Sequence, residues 1–257
     1  MYSSMATPHT IFIIPYRDRA KHKEMLDEYL ELVLKHNEWE EGKDVLIWYA
    51  HQCDQRPFNR GAMKNMGLFA AKKVFPSSYR DITLVFHDVD SIPVRADMIP
   101  YRTITGVVAH YYGYKWALGG IVAMKAGDFE DVGGFPNFWG WGLEDNCLHM
   151  RCEDAKLERD HRFLFDISDR RIRRPFDGVT RTYSNREANI LKSENPDKVS
   201  DLKDVSFKIE GRMLNVTSFT TGRHPDQSEF AQHDIRSGSR IPVDKRHFRK
   251  NWNLFGN

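Results

Sequence analysis

The 257-residue chain has only three cysteines, Cys53, Cys147 and Cys152. So sparse and uneven a set excludes a disulfide framework, matches no zinc-ligand spacing, and points to a reducing compartment. No apolar run approaches the roughly 20 residues that cross a bilayer, and the opening MYSSMATPHT has no apolar signal core. These absences lead to the expectation of a cytoplasmic protein without a membrane span. An excess of one charge is missing too. Lys and Arg number 38 against 36 Asp and Glu, a net charge of +2, so no global field argues for a nucleic-acid partner. Internal repeats and low-complexity tracts are also absent. What is present is 40% hydrophobic, 29% charged and 12% aromatic. That is an ordinary globular composition, long enough for one α/β domain with a real core.

Apolar runs at 10–15, 45–50 and 82–86 (TIFIIP, VLIWYA, ITLVF) read as buried strands. Between them, residues 20–36 and 59–74 carry apolar positions at helical spacing, and Asn59 is placed to cap the second helix. Strand, helix, strand, helix, strand predicts a mostly parallel central sheet with helices on both faces. Such sheets bind ligands beyond the carboxyl ends of their strands. Residues 100–142 are expected to hold short strands and working loops, 145–157 a helix, and 168–196 mostly irregular chain. Residues 205–210 and 213–219 flank Gly211-Arg212 as a hairpin. The basic segment 222–257 is expected to be a tail or strap beyond a catalytic domain at 1–221.

Four clusters could carry chemistry. His87-Asp88-Val89-Asp90 follows the third strand, and carboxylates there suit a hard cation such as Mn²⁺ or Mg²⁺ that bridges phosphates. Trp139-Gly-Trp-Gly-Leu-Glu-Asp145 sets tryptophans among glycines. The glycines let a loop approach a ligand, a tryptophan face can stack on a sugar, and Glu144 or Asp145 could take a proton from a hydroxyl. The alternative for the same run is core packing. Pro15-Tyr-Arg-Asp-Arg19 follows the first strand, where Arg17 and Arg19 could fork onto phosphate oxygens. Pro57-Phe-Asn-Arg60 opens the second helix, with a ring for a nucleobase and a guanidinium for phosphate. Each cluster alone also fits a plain turn or helix cap; their joint placement at one sheet edge favours function.

In this order, Pro15–Arg19, Phe58-Asn-Arg60, Asp88-Val-Asp90, Gly119-Gly120, Gly134-Phe-Pro-Asn137 and Trp139–Asp145 resemble the β-1,4-galactosyltransferases. The likeness covers roughly residues 10–157 and continues weakly through 205–219. It implies a fold of the glycosyltransferase-A type, a Rossmann-like α/β sheet. It also implies a UDP-sugar donor, Mn²⁺ (or Mg²⁺), and inverting transfer of a hexose to a glycan or glycoconjugate hydroxyl. Carried over by position, Pro15, Arg17, Arg19, Phe58, Arg60 and Val89 line the nucleotide site. Asp90 binds the metal and Asp88 supports the donor. Gly120, Trp141 and Glu144 lie against the sugars, and Asp145 is the base.

The sequence departs from the family pattern at three places. The family's Met-x-x-His metal ligand is missing. Asp166 or Asp169 sits near the expected position, with His161, His224 and His233 as alternatives on other loop paths. Ala117 stands where galactose-preferring vertebrate members carry a tyrosine that crowds the donor's 2-substituent, so tolerance of N-acetylgalactosamine, or a donor preference unlike theirs, is expected. Asn146 replaces an acidic residue that touches the acceptor. The family's disulfide cysteines are also missing, and no anchor is expected in these 257 residues. A non-catalytic nucleotide-sugar- or glycan-binding protein of the same fold and a nucleotidyltransferase or metal phosphohydrolase are the competing readings.

Overall fold

The computed structural model describes residues 6–178, 180–184, 197–222, 225, 230–234 and 236. The chain order is β1 (Thr10–Tyr16), α1 (Ala20–Asn37), β2 (Val45–Gln52), α2 (Arg60–Val74), β3 (Thr83–His87), β4 (Ile92–Pro93), β5 (Val107–Gly113), β6 (Ile121–Lys125), α3 (Ala126–Asp131) and α4 (Glu144–Asp154). Then come β7 (Glu158–Asp160), β8 (Phe165–Asp166), β9 (Ile172–Arg173), β10 (Thr180–Ser184), β11 (Lys203–Glu210), β12 (Met213–Thr220) and β13 (Phe230–Asp234).

The main sheet runs β11-β12-β2-β1-β3-β6-β5-β7, with β8 also on β5. Its centre is buried on both faces, so the strands read as continuous apolar runs rather than alternating ones. Successive residues still divide by face. Ile11, Ile13, Leu46, Trp48, Leu84 and Phe86 join one core with α2, while Phe12, Ile14, Ile47, Tyr49 and Val85 join the other with α1. Helix α1 lays Leu26, Tyr29, Leu30 and Val33 on its side. Helix α2 starts where expected, and the Asn59 side chain accepts from the Ala62 N–H.

Strands β1, β2 and β3 are parallel, so their carboxyl ends meet at one edge. β6 runs antiparallel to β3, with Ile121 opposite His87. The residues leading into β6, Gly119 and Gly120, therefore arrive at that same edge. The 203–220 hairpin forms as expected, and β12 additionally lies parallel to β2 and widens the sheet. β13 pairs with β10. No helix among the described residues is long and apolar enough to cross a membrane.

Candidate active site

Two cations on α2 organise the site. Arg60 and Lys64 stand one helical turn apart and face the same way. Arg60 donates to Asp88 Oδ2 at 2.9 Å and its other Nη lies 3.2 Å from Glu144 Oε1. That second pair is close but unaligned, and Glu144 Oε1 has no hydrogen-bond partner although the side chain is 3% exposed. Lys64, 1% exposed, donates to Asp145 Oδ1 at 2.9 Å and sits 3.8 Å from Asp88 Oδ1. Carboxylates from the end of β3 and the start of α4 are thereby joined through one helix.

The backbone brings the same pieces together. Asp88 N–H donates to the Gly120 carbonyl at 2.8 Å, and Leu118 N–H to the Asp145 carbonyl at 3.1 Å. A Cβ on Gly119 would lie 2.2 Å from Asp145 Oδ2, so only glycine lets the carboxylate rest there. Leu143, just before α4, holds φ of 71°, an unfavourable left-handed conformation for leucine. That turn aims Glu144 and Asp145 inward from the first turn of the helix. Burial pushes the Asp145 carboxyl up to about 6, Lys64 and Arg60 oppose the rise, and Glu144 and Asp88 add to it.

Asp90 is half-buried and forms no ion pair among the described residues. Burial and the neighbouring Asp88 raise its pKa, with a further contribution from Asp177. Asp88, Asp90, Glu144 and Asp145 thus outnumber Arg60 and Lys64, and the surplus negative charge suits a divalent cation. No group of three or more His, Cys, Asp or Glu is arranged as a metal cage among the described residues. A Mg²⁺-like ion does not require one, because it is commonly held by one or two carboxylates plus substrate phosphates.

Asp166 and Asp169 are committed to their own turns. Asp166 accepts from Ser168 N–H and Oγ, and Asp169 is forked by Arg171. Of the alternatives, His161 packs against His110 and His233 against the Tyr183 ring, while His224 lies outside the described residues. Asp177, which sequence reading did not single out, bonds Arg181 at 2.8 Å and pairs with Arg19 at 3.6 Å.

Beside this centre, Arg17, Asp18, His51, Gln52, Cys53, Asp54 and Gln55 line an open polar cleft. Arg17 lies 5.1 Å over the Phe58 ring and donates to the Arg56 carbonyl at 2.6 Å. Pro15, near the end of β1, and Val89, two residues beyond β3, are buried. Trp141 is half-buried, and its backbone N–H donates to the Thr182 carbonyl at 2.7 Å. Asn146 is half-exposed on the first turn of α4. Trp139, by contrast, is core: it stacks on Phe219 at 5.5 Å and donates to Thr221.

Comparison with known proteins finds relatives for most of the chain. Residues 3–103 match the family model described as the N-terminal region of glycosyl transferase group 7, and residues 101–182 the N-terminal domain of galactosyltransferase. Xylosylprotein 4-beta-galactosyltransferase of Caenorhabditis elegans is 31% identical over 235 residues, covering 83% of this chain and 78% of that protein. Human beta-1,4-galactosyltransferase 4 is 31% identical over 165 residues, 60% of this chain, and the matched part spans 45% of the human protein. The catalytic domain of Drosophila beta1,4galactosyltransferase 7, solved with xylobiose, shares the fold with a TM-score of 0.60 at 22% identity, covering 81% of this chain and 93% of that one. A mutant of that enzyme, solved with manganese, UDP-Gal and xylobiose, gives a TM-score of 0.58 at 21% identity over the same shares. By the two family models and the worm relative, the chain belongs to the β-1,4-galactosyltransferase family.

Proposed function

We propose that this chain is an inverting, metal-dependent UDP-sugar hexosyltransferase that forms a β linkage to a hydroxyl of a glycan or glycoconjugate. The observation that carries the reading is the meeting of Asp88, Glu144 and Asp145 around Arg60 and Lys64, with Asp90 beside them. In this assignment Phe58, Arg17 and the cleft behind them receive the nucleotide, and Arg19 and Arg60 face its phosphates. Asp90 holds Mn²⁺ or Mg²⁺, which when bound neutralises charge on the departing diphosphate. Glu144 Oε1, buried and without a hydrogen bond, is an acceptor for a sugar hydroxyl. Trp141, half-buried, offers the sugars a face, with Asn146 next to the acceptor. Asp145 takes the hydroxyl proton as the new bond forms at the anomeric carbon, and the surrounding segments hold the reactants in line.

The donor sugar is galactose or N-acetylgalactosamine, the second admitted by the small side chain of Ala117. Residues 222–257 remain a tail or strap in this reading; the pairing of β13 (230–234) with β10 supports a strap at that point, and most of the rest lies outside the described residues. A reducing, cytoplasmic location fits three unpaired cysteines, and fractionation of cells making the chain tests it.

Replacing Asp145 by Asn should lower transfer by about 10²–10⁴-fold, the usual worth of a general base, while UDP–Mn²⁺ binding measured by calorimetry stays within a few-fold. Normal turnover in that variant refutes the assigned base. In the parent protein, a base pushed up to about 6 makes kcat/KM for the acceptor fall as pH drops through that region, because the carboxylate must be anionic to accept the proton.

A further inference from the structure

Lys64 belongs to none of the segments that resemble the family, and the reading above uses it as a place where carboxylates meet without giving it a part in the reaction. Its surroundings are unusual for a lysine. Residues 61–68 of α2 are all buried, so this stretch has no solvent face for a charged side chain to reach. The ammonium instead lies between three electron-rich groups: Asp145 Oδ1 at 2.9 Å, Asp88 Oδ1 at 3.8 Å and the face of Phe135 at 4.5 Å. An ammonium has three N–H donors and needs that many destinations when water is excluded.

We propose that Lys64 is a positioning residue of the transfer reaction, holding the Asp145 carboxylate anionic and oriented and tying it to Asp88 on the donor side. The inference rests on Asp145 being the base. One carboxylate oxygen is fixed by Lys64, and the other rests against Gly119 where no Cβ intervenes. The carboxylate is therefore hydrogen-bonded on one oxygen and packed closely on the other before any substrate arrives, which is the preorganisation a base requires. Other charged and titratable groups act on Asp145 from each packed element. Arg60 lies on α2, Glu144 on its own helix, Asp88 beyond β3 and His110 on β5. Among these, Lys64 alone makes a hydrogen bond to the carboxylate. Once Asp145 takes the hydroxyl proton, the ammonium loses its anionic partner at 2.9 Å and keeps Asp88. Proton uptake at the base is thereby felt at the carboxylate that supports the donor.

The decisive experiment follows Lys64→Met in the full chain by two readouts. The first is the pH profile of kcat/KM for the acceptor with saturating donor and Mn²⁺. Removing a cation disfavours the carboxylate, so the acid limb should move to higher pH by about one unit. Below the limb the loss is then on the order of tenfold, shrinking above it, with UDP affinity within a few-fold. The second is a ¹³C NMR titration of the Asp145 carboxyl, assigned by Asp145→Asn, which needs no turnover and should show the same upward shift. Lys64→Arg keeps the charge and should return the limb to its parental position even where kcat stays low. If the methionine variant fails to fold, Lys64→Gln carries the same test. A loss equal at every pH, or an unmoved carboxyl titration, overturns the proposal. A parent protein that transfers no sugar overturns the function instead, while the NMR titration still decides whether Lys64 controls the carboxylate.

Discussion

Two neighbouring stretches, Gly134–Trp139 and Trp141–Asp145, look alike as sequence, each mixing glycine and aromatic residues, yet they do opposite work. The first is a brace. Asn65 donates to the Phe135 carbonyl and to Asn137 Oδ1, and Asn59 donates to the Asn137 carbonyl. Asn137 itself donates to the Lys198 carbonyl, and Trp139 is 2% exposed. The second is held mainly by its backbone and leaves its side chains for other business. Trp141 is half-buried, Leu143 is in a costly conformation, and Glu144 keeps an unbonded oxygen. Gly140 joins the two, bridged to Asn59 on one side and Tyr183 on the other. A framework segment satisfies its polar groups internally; a working segment keeps some of them unsatisfied and accepts strain.

That contrast is broken most forcefully by exchanging the kind of damage. Trp139→Ala removes a stacked, buried ring and should destabilise the fold by about 3–5 kcal/mol. Urea unfolding would read this as a lowered midpoint, and the remaining folded fraction should keep its donor affinity. Asp145→Asn should do the reverse, losing turnover with an unfolding midpoint near the parent's. Should Trp139→Ala instead alter donor affinity in fully folded protein, the brace is also part of the site.

A smaller effect separates the two acidic ends of the site. Asp90→Ala should weaken Mn²⁺-dependent UDP binding by at least roughly 10–100-fold, the scale that lesser changes around a bound metal already reach. Binding of UDP without metal should change little, because Asp90 forms no ion pair among the described residues. Calorimetry with and without Mn²⁺ checks both halves. Equal weakening in the two conditions would remove Asp90 from the metal and make it an ordinary element of the nucleotide cleft.

Much of the fold was readable because burial leaves a periodic trace. The apolar runs gave β1, β2 and β3 within two residues at either end, and Asn59 caps α2 as its side chain suggested. The antiparallel turn at β6 and the parallel seat of β12 on β2 had no such trace, since pairing partners far apart in sequence are chosen by tertiary packing. In the site, Asp88 and Asp145 both reach Lys64, but Asp145 arrives on the first turn of α4 rather than from the end of a parallel strand. Counting forward along a family pattern led to Asp166 and Asp169, whose carboxylates serve their own turns, and could not register Asp177, which is placed by an irregular loop. Lys64 was missed because a lysine in a helix usually reads as solvated. The available signal was its spacing of four from Arg60 within a stretch with no other charge.

The smallest predicted effect concerns Ala117, 7% exposed and three residues before Gly120. Its N–H donates to the Tyr114 carbonyl, and Leu118 after it is bonded to the Asp145 carbonyl, so the segment is fixed to the start of α4. A tyrosine there has two places to go. If its ring enters the donor cleft, it crowds a 2-acetamido group while leaving a 2-hydroxyl room. Use of UDP-N-acetylgalactosamine relative to UDP-galactose should then drop by roughly tenfold, the scale of one poorly fitting group in a shaped pocket. If the ring turns into the core, overpacking lowers the unfolding midpoint and both donors suffer in parallel. Competition between the two donors, read alongside thermal unfolding, separates these cases. An unchanged donor ratio with unchanged stability would mean that other side chains already fill the space, and Ala117 would then have no part in donor choice.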